Sequence, residues 1–154
     1  MVRFATEQDV EKVNELRKQI NDLHVNGRPD IFRSGFCKEL QDKAIVFIED
    51  VDKNIIVVEV DGMVRGIACV RYVIKPQTAT SNERKFYNVE EFGVDEKFRR
   101  QGIGRELFEF IKSDAKARGF DRIELNMWEF NESALKFYES VGFKTYRRYM
   151  EFDV

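Results

Sequence analysis

Phe92-Gly93-Val94-Asp95-Glu96-Lys97-Phe98-Arg99-Arg100-Gln101-Gly102-Ile103-Gly104-Arg105 is the stretch whose reading decides the fold. It reads as a strand end, a tight turn and a helix start. Arg99-x-x-Gly102-x-Gly104 leads straight into Glu106-Leu107-Phe108-Glu109-Phe110-Ile111, where apolar residues recur at helical spacing. A small-residue turn at a helix N-terminus aims several unpaired backbone N–H groups at one point. Such a concavity binds anions, phosphates above all. The stretch is therefore the candidate seat of a phosphate-bearing cofactor. The glycines alone are weak evidence. Leu107 stands where a dinucleotide-binding turn has its third glycine, and no Gly-x-x-x-x-Gly-Lys-Ser/Thr occurs. On this pattern by itself, a plain strand–turn–helix connection is the simpler reading.

The elements on either side set the frame. Phe86 to Val94 is a strand. Before it, Asn54 to Val60 and Met63 to Ile74 flank Asp61-Gly62, a hairpin signal because both central positions of a type I′ turn need positive φ. Pro76 to Lys85 is polar and loop-like. The chain opens with a short strand, Val2-Arg3-Phe4-Ala5. Thr6 is an N-cap with acids in the first turn, and Val10, Val13, Leu16, Ile20 and Leu23 follow at helical spacing. This predicts a helix from about Thr6 to Asp22. His24 to Gly35 is a connecting loop. A second helix runs from Cys37 to about Glu49, with Leu40, Ala44, Ile45 and Ile48 on one face.

Downstream, Gly119 is placed to end the helix that starts at Gly102. Arg122 to Trp128 is the next strand, parallel to Phe86–Val94 through a right-handed crossover. Asn131 N-caps a short helix that stops at Gly142, with Phe130 and Leu135 as a hydrophobic staple. Lys144 to Val154 alternates apolar residues at Tyr146, Met150 and Phe152 and predicts a closing strand. The order gives an α/β (α+β) chain. One domain over residues 1–154 is expected, with helices N-terminal to a central mixed, twisted sheet.

Composition limits the function classes. At 154 residues, the chain can bury about 70% of its unfolded surface without staples. With 43% hydrophobic residues and 14 Phe, it has ample core material. A net charge of −2 supplies no basic field for nucleic acid or an anionic membrane. Cys37 and Cys69 make no disulfide framework, no stretch of about 20 apolar residues exists, and Met1-Val2-Arg3-Phe4 is no signal peptide. A cytoplasmic location follows as the expectation. One His and two distant Cys give no metal-ligand spacing.

Three residues invite chemistry. Tyr138 lies in a short amphipathic helix, where an aromatic is more commonly core or rim. Glu90 and Glu91 lie in a hydrophobic strand, whose alternation sends them to opposite faces. Each is as readily a solvent-facing charge. His24 reads as a surface residue, because nothing near it in sequence orients it.

Val89-Glu90-Glu91-Phe92-Gly93-Val94 through Arg99-Arg100-Gln101-Gly102-Ile103-Gly104 resembles the acetyl-CoA-binding motif of the GCN5-related N-acetyltransferase (GNAT) family. Asn131-x-x-Ala134-x-x-Phe137-Tyr138-x-x-x-Gly142-Phe143 is similar to that family's second signature. The element order fits over nearly the whole chain, although the tail after Phe143 is short for the family's last two strands.

The resemblance implies a GNAT-like fold in which two parallel strands splay apart and bind CoA. The backbone of Phe92 and Val94, flanking Gly93, would bond the pantetheine arm. N–H groups from Arg100 through Gln101, Gly102, Ile103 and Gly104 to Arg105, after Arg99, would hold the pyrophosphate. Asn131 would assist, and Tyr138 matches the usual general acid. Glu90 aligns with a carboxylate that serves some members as general base, and it is expected to share a strand face with Phe92 and Val94. Glu91 and then Glu129 are the alternatives.

The implied reaction is acetyl transfer from acetyl-CoA, without metal, to a primary amine: a small amine or polyamine, an amino acid, an aminoglycoside or a protein amine. A non-catalytic CoA-binding sensor or scaffold is the alternative. Arg28 and Arg33 would favour an acceptor with a carboxylate, Asp30 and Glu90 a diamine. Homodimerisation, common in the family, stays open.

Overall fold

The computed structural model describes residues 1–154. In chain order it contains β1 (Val2–Phe4), α1 (Val10–Gly27), α2 (Lys38–Glu49), β2 (Lys53–Val60), β3 (Met63–Lys75), β4 (Arg84–Val94), α3 (Ile103–Ala117), β5 (Ile123–Leu125) and α4 (Glu132–Ser140). The strands form one sheet in the order β1-β2-β3-β4-β5. All neighbours are antiparallel except β4 and β5, which are parallel. The β2–β3 hairpin turns at Asp61 (φ 52°) and Gly62 (φ 74°), as a type I′ turn requires.

The strand period of two divides the apolar residues between two cores. Ile56, Val58, Ala68 and Val70 face Ile103, Leu107, Ile111 and Ala115 of α3. Ile55, Val57, Ile67 and Cys69 face Val13, Leu16 and Ala44 of α1 and α2. In α2 the buried face is Ala44 with Phe47 and Ile48 beside it, while Ile45 turns outward, so the expected face is rotated.

Several boundaries differ from expectation. A 3-10 turn, Glu7–Asp9, precedes α1, and the Thr6 N–H donates to Asp9 (2.8 Å). Helix α1 then continues to Gly27, past Asp22. Asn26-Gly27 has a turn's composition, but Gly27 stays helical and its bare Cα makes room for Phe130: a Cβ there would lie 2.3 Å from that ring. Phe130 thus packs toward α1.

Strand β5 pairs only at Ile123–Leu125, opposite Tyr87–Val89. The ladder stops where β4 bulges: Val70 pairs with Val89 and Cys69 with Glu91, leaving Glu90 as the extra residue. The predicted closing strand is absent, since residues 144–154 join no sheet. Alternation supplies a face but not a partner. Side chains tether the tail instead: the Tyr146 hydroxyl donates to Glu124 (2.9 Å), and Arg28 pairs with Glu151 (2.8 Å).

Candidate active site

The bulge at Glu90 shifts strand parity by one residue, and the site follows from that shift. Upstream, the Tyr87 N–H donates toward β5, to the Arg122 carbonyl (2.8 Å). Downstream, the Asp95 N–H donates the other way, to Arg65 at the β3 side (2.8 Å). Counting back by twos from Asp95, Phe92 and Val94 direct their N–H and C=O away from β3, into the gap beyond the last β5 pair. The result is a V with an unpaired strand edge on one wall. The Arg99 Nε–H already donates to the Val94 carbonyl at its mouth (3.3 Å).

The same shift corrects the expectation for the two acids. Alternation does not separate them, and Glu90 does not share a face with Phe92 and Val94. Phe92 and Val94 pack with the α3-side core. Glu91 lies on the α1 side, bonded to Arg17 (2.9 and 3.0 Å) and beside Cys69. Glu90 pairs with Arg71 (2.8 Å). Both carboxylates are already engaged by guanidinium groups.

At the bottom of the V, Arg100 (φ 63°) and Gly102 (φ 86°) turn the chain into α3 through left-handed backbone, which glycine adopts without strain. Gly102 is the N-cap, and the Glu106 N–H is the first to bond back to it (3.0 Å). The N–H groups of Ile103, Gly104 and Arg105 precede it and have no intrahelical acceptor. A side chain at Gly102 would meet nothing within 4 Å, so the cradle is open. Gln101 and Arg105 are exposed around it, whereas Ile103 points into the core. Gly93 serves packing: a Cβ there would lie 2.7 Å from Ile20, so its absence lets α1 cross β4 closely. An open strand edge leading to free helix N–H groups fits an extended thioester arm ending in a diphosphate.

Helix α4 covers the α3 side of the V. Asn131 Oδ1 accepts from the Ala134 N–H (3.2 Å), so its carbonyl is committed to the cap. At the other end Gly142 (φ 104°) builds a Schellman stop. The Phe143 N–H donates to the Tyr138 carbonyl and the Gly142 N–H to Glu139, both at 3.0 Å. The accompanying ring contact, Phe143 on Tyr138 (5.6 Å), fixes Tyr138 against Phe92 (6.0 Å). The two sequence signatures therefore meet in one aromatic cluster. Burial pushes the Tyr138 phenol up to about 12, so it stays protonated near neutrality.

The opposite side holds what sequence reasoning missed. Arg17, 4% exposed, bonds Glu91, the Leu40 carbonyl (2.6 Å) and Asn14 (3.1 Å), and lies over Phe36. It ties α2 and the loop before it to β4. Beyond it His24, Phe32, Trp128 and Phe130 form an aromatic wall. A signal for both was available: Arg17 and His24 fall on the apolar face of α1, four residues after Val13 and Ile20. A separate groove of about 480 Å³, lined by Phe108, Lys112, Ile123 and Phe143 among others, contains none of the candidate catalytic or cofactor-binding residues.

Residues 18–143 match the sequence model of the acetyltransferase (GNAT) family. The chain belongs to that family. It is 32% identical to the BH1408 protein of Bacillus halodurans, solved as a mutant, over 100% of this chain and 99% of that one, with a TM-score of 0.96. The aminoglycoside N-acetyltransferase AAC(6')-Iy, solved with CoA, is 15% identical over 100% of this chain and 93% of that one, with a TM-score of 0.80. Its complex with the bisubstrate analogue CoA-S-monomethyl-acetylneamine gives 15% identity, coverage of 100% and 97%, and a TM-score of 0.79. At that identity the likeness is one of fold. No protein of curated function matches by sequence. Like its GNAT relatives the chain is a mixed α/β structure, and no helix is long and apolar enough to cross a membrane.

Proposed function

We propose that this GNAT-family protein transfers the acetyl group of acetyl-CoA to a primary amine, and that residues 1–154 work as one N-acetyltransferase unit. The observation that carries this is the V itself. The free edge of Phe92 and Val94 leads to the open N–H cradle at Gly102–Arg105, with Tyr138 on one face and the α1 wall on the other. The cosubstrate supplies an activated acyl group and a thiolate leaving group. The strand edge holds the extended arm, and the Val94 N–H is placed to stabilise negative charge that develops on the acyl oxygen. The cradle holds the diphosphate.

Tyr138 acts on the departing sulfur from the α3 side. A thiol's ordinary pKa is about 8.5, so complete transfer from a phenol near 12 is uphill by about 3–4 units. The apolar rings of Phe92, Phe137 and Phe143 narrow that gap by raising the sulfur's basicity as well. Tyr138 therefore hydrogen-bonds the sulfur as the C–S bond breaks and passes its proton late.

On the acceptor side, Arg28 is neutralised by Asp30 (2.7 Å) and Glu151. Asp30 is thereby paired as well and Glu90 is held by Arg71, so a diamine loses both of its acids, whereas of the two arginines that favour a carboxylate Arg33 stays exposed and outside any ion pair. The aromatic wall supports an amine carried on an apolar or flat group.

Titration calorimetry with acetyl-CoA and with NAD, followed by thiol release over an amine panel, tests the reading. Acetyl-CoA binding with amine-dependent thiol release is expected. NAD binding without acetyl-CoA binding overturns it, and acetyl-CoA binding with no turnover on any amine favours the sensor alternative. Tyr138→Phe should lower kcat about 10- to 1,000-fold and leave acetyl-CoA affinity within twofold.

A further inference from the structure

Of the three carboxylates that the sequence offers as general base, Glu90 is held by Arg71 and Glu91 by Arg17, and the third, Glu129, is exposed. A different residue on the acceptor side is better placed. Helix α1 passes over β4 with Arg17 at Glu91 and Ile20 against Gly93, and one turn later it reaches His24. There the imidazole stacks on Phe32 (5.2 Å, 22°) and meets the edge of Phe130 (6.4 Å, 77°), the aromatic that follows β5. It therefore lies over the opening between the two walls of the V, on the face opposite Tyr138. Rings on two sides fix its plane. This corrects the expectation that nothing orients it.

We propose that His24 is the general base that deprotonates the acceptor amine, an inference that rests on the acetyl-transfer reading above. The imidazole lone pair takes one N–H proton from the acceptor's ammonium group. The freed amine forms the C–N bond as the thioester C–S bond breaks. The second N–H proton reaches the departing sulfur by way of the Tyr138 hydroxyl, which is left as it began. Ammonium, thioester and imidazole become amide, thiol and imidazolium, and the imidazolium then loses its proton to water.

The surroundings suit this role. Burial lowers the His24 pKa, so the ring is neutral and able to accept a proton near pH 7. The one charge that pulls the other way is Glu91, which supports the imidazolium once it forms. Arg28 on the next turn is spent on Asp30 and Glu151, and its guanidinium lies over Trp128 (5.8 Å). Glu129 sits exposed between Trp128 and Phe130. The same apolar wall disfavours the acceptor's charged ammonium, bringing its pKa down toward the imidazole's.

His24 is the chain's one histidine, so a single imidazole resonance reports on it. By NMR that resonance should titrate below 6.5 in the free protein and shift when an acceptor amine is added. The kcat/KM profile should show an acidic limb at the same pH. His24→Gln should lose the limb and about 100-fold or more in kcat/KM at pH 7, with acetyl-CoA affinity unchanged and part of the rate restored by added imidazole. A His24→Gln enzyme within threefold of wild type that keeps the limb overturns the proposal and leaves acetyl transfer standing. So does a wild-type imidazole that titrates at 6.5 or above and ignores the amine, a result that needs no variant. Acetyl-CoA binding without turnover on any amine overturns the acetyl-transfer reading, and this inference with it.

Discussion

Replacing Arg17 by Met tests whether the α1-to-β4 tie is the structural keystone of the acceptor side. The guanidinium is 4% exposed and makes four hydrogen bonds: two to Glu91, one to the Leu40 carbonyl and one to Asn14. Removing one partner of a buried ion pair typically costs about 3–5 kcal/mol, because the other charge is left uncompensated. Glu91 retains 29% side-chain exposure, so water recovers part of its solvation, and methionine preserves most of the packing against Phe36. The expected loss is therefore about 2–3 kcal/mol. For a chain of this size that is a fall in Tm of about 4–12 °C.

Urea unfolding followed by circular dichroism measures the loss directly. Adding Glu91→Leu to Arg17→Met should recover at least about 1 kcal/mol, since the stranded carboxylate is then gone. A single variant within about 0.5 kcal/mol of wild type would refute the argument, as would a double variant as unstable as the two losses summed.

Two further outcomes follow from other contacts. Asp9, bonded by Arg3 (2.7 and 2.9 Å) and the Thr6 N–H, has its pKa lowered to about 2. Because that value lies below the unfolded one, its contribution is complete above about pH 4 and is lost as pH falls toward 2. Wild type should thus lose more stability than Asp9→Asn over that window, as read by Tm against pH; parallel curves would remove the pair from the acid response. Gly27→Ala puts a Cβ 2.3 Å from the Phe130 ring and must displace it. Overpacking of this kind costs about 1–3 kcal/mol, and the Trp128 fluorescence should shift with it. An unchanged Tm and spectrum would show that the ring moves freely.

The parts of this fold visible in the sequence are those fixed by local chemistry. Asp61-Gly62 dictates its turn whatever surrounds it, and Gly142 stops α4 through a left-handed φ that the residue type announces. The left-handed turn at Gly102 that opens α3 belongs to the same group. The parts not visible depend on a partner. A bulge exists only relative to the opposite strand, so nothing in Val89-Glu90-Glu91-Phe92 distinguishes a bulged strand from a regular one. Asn26-Gly27 reads as a turn until Phe130, over a hundred residues later, arrives to fill the space beside it. The tail has the alternation of a strand, but β5 offers only three paired residues and the tail lies beyond them. Arg17 and His24 lay in view on the apolar stripe of α1. A charged or polar residue on such a stripe is a question about its partner, and the partners came from β4 and from the segment after β5.

The extra residue at Glu90 also bears on where this chain tolerates a change of length. Loops such as Pro76–Glu83 absorb an insertion or deletion at little cost, since their ends need only reach. Deleting Glu90 would likewise leave the faces of β4 unchanged, because Glu90 and Glu91 lie on one side: Val89 and Phe92 would keep to α3 and Glu91 to Arg17, in a regular ladder opposite Val70, Ala68 and Cys69. What would go is the local bend and added twist of the bulge, at the point where β5 stops pairing with β4. A length polymorphism of a single residue here would therefore act on the opening of the V alone, although no residue of the cradle had changed.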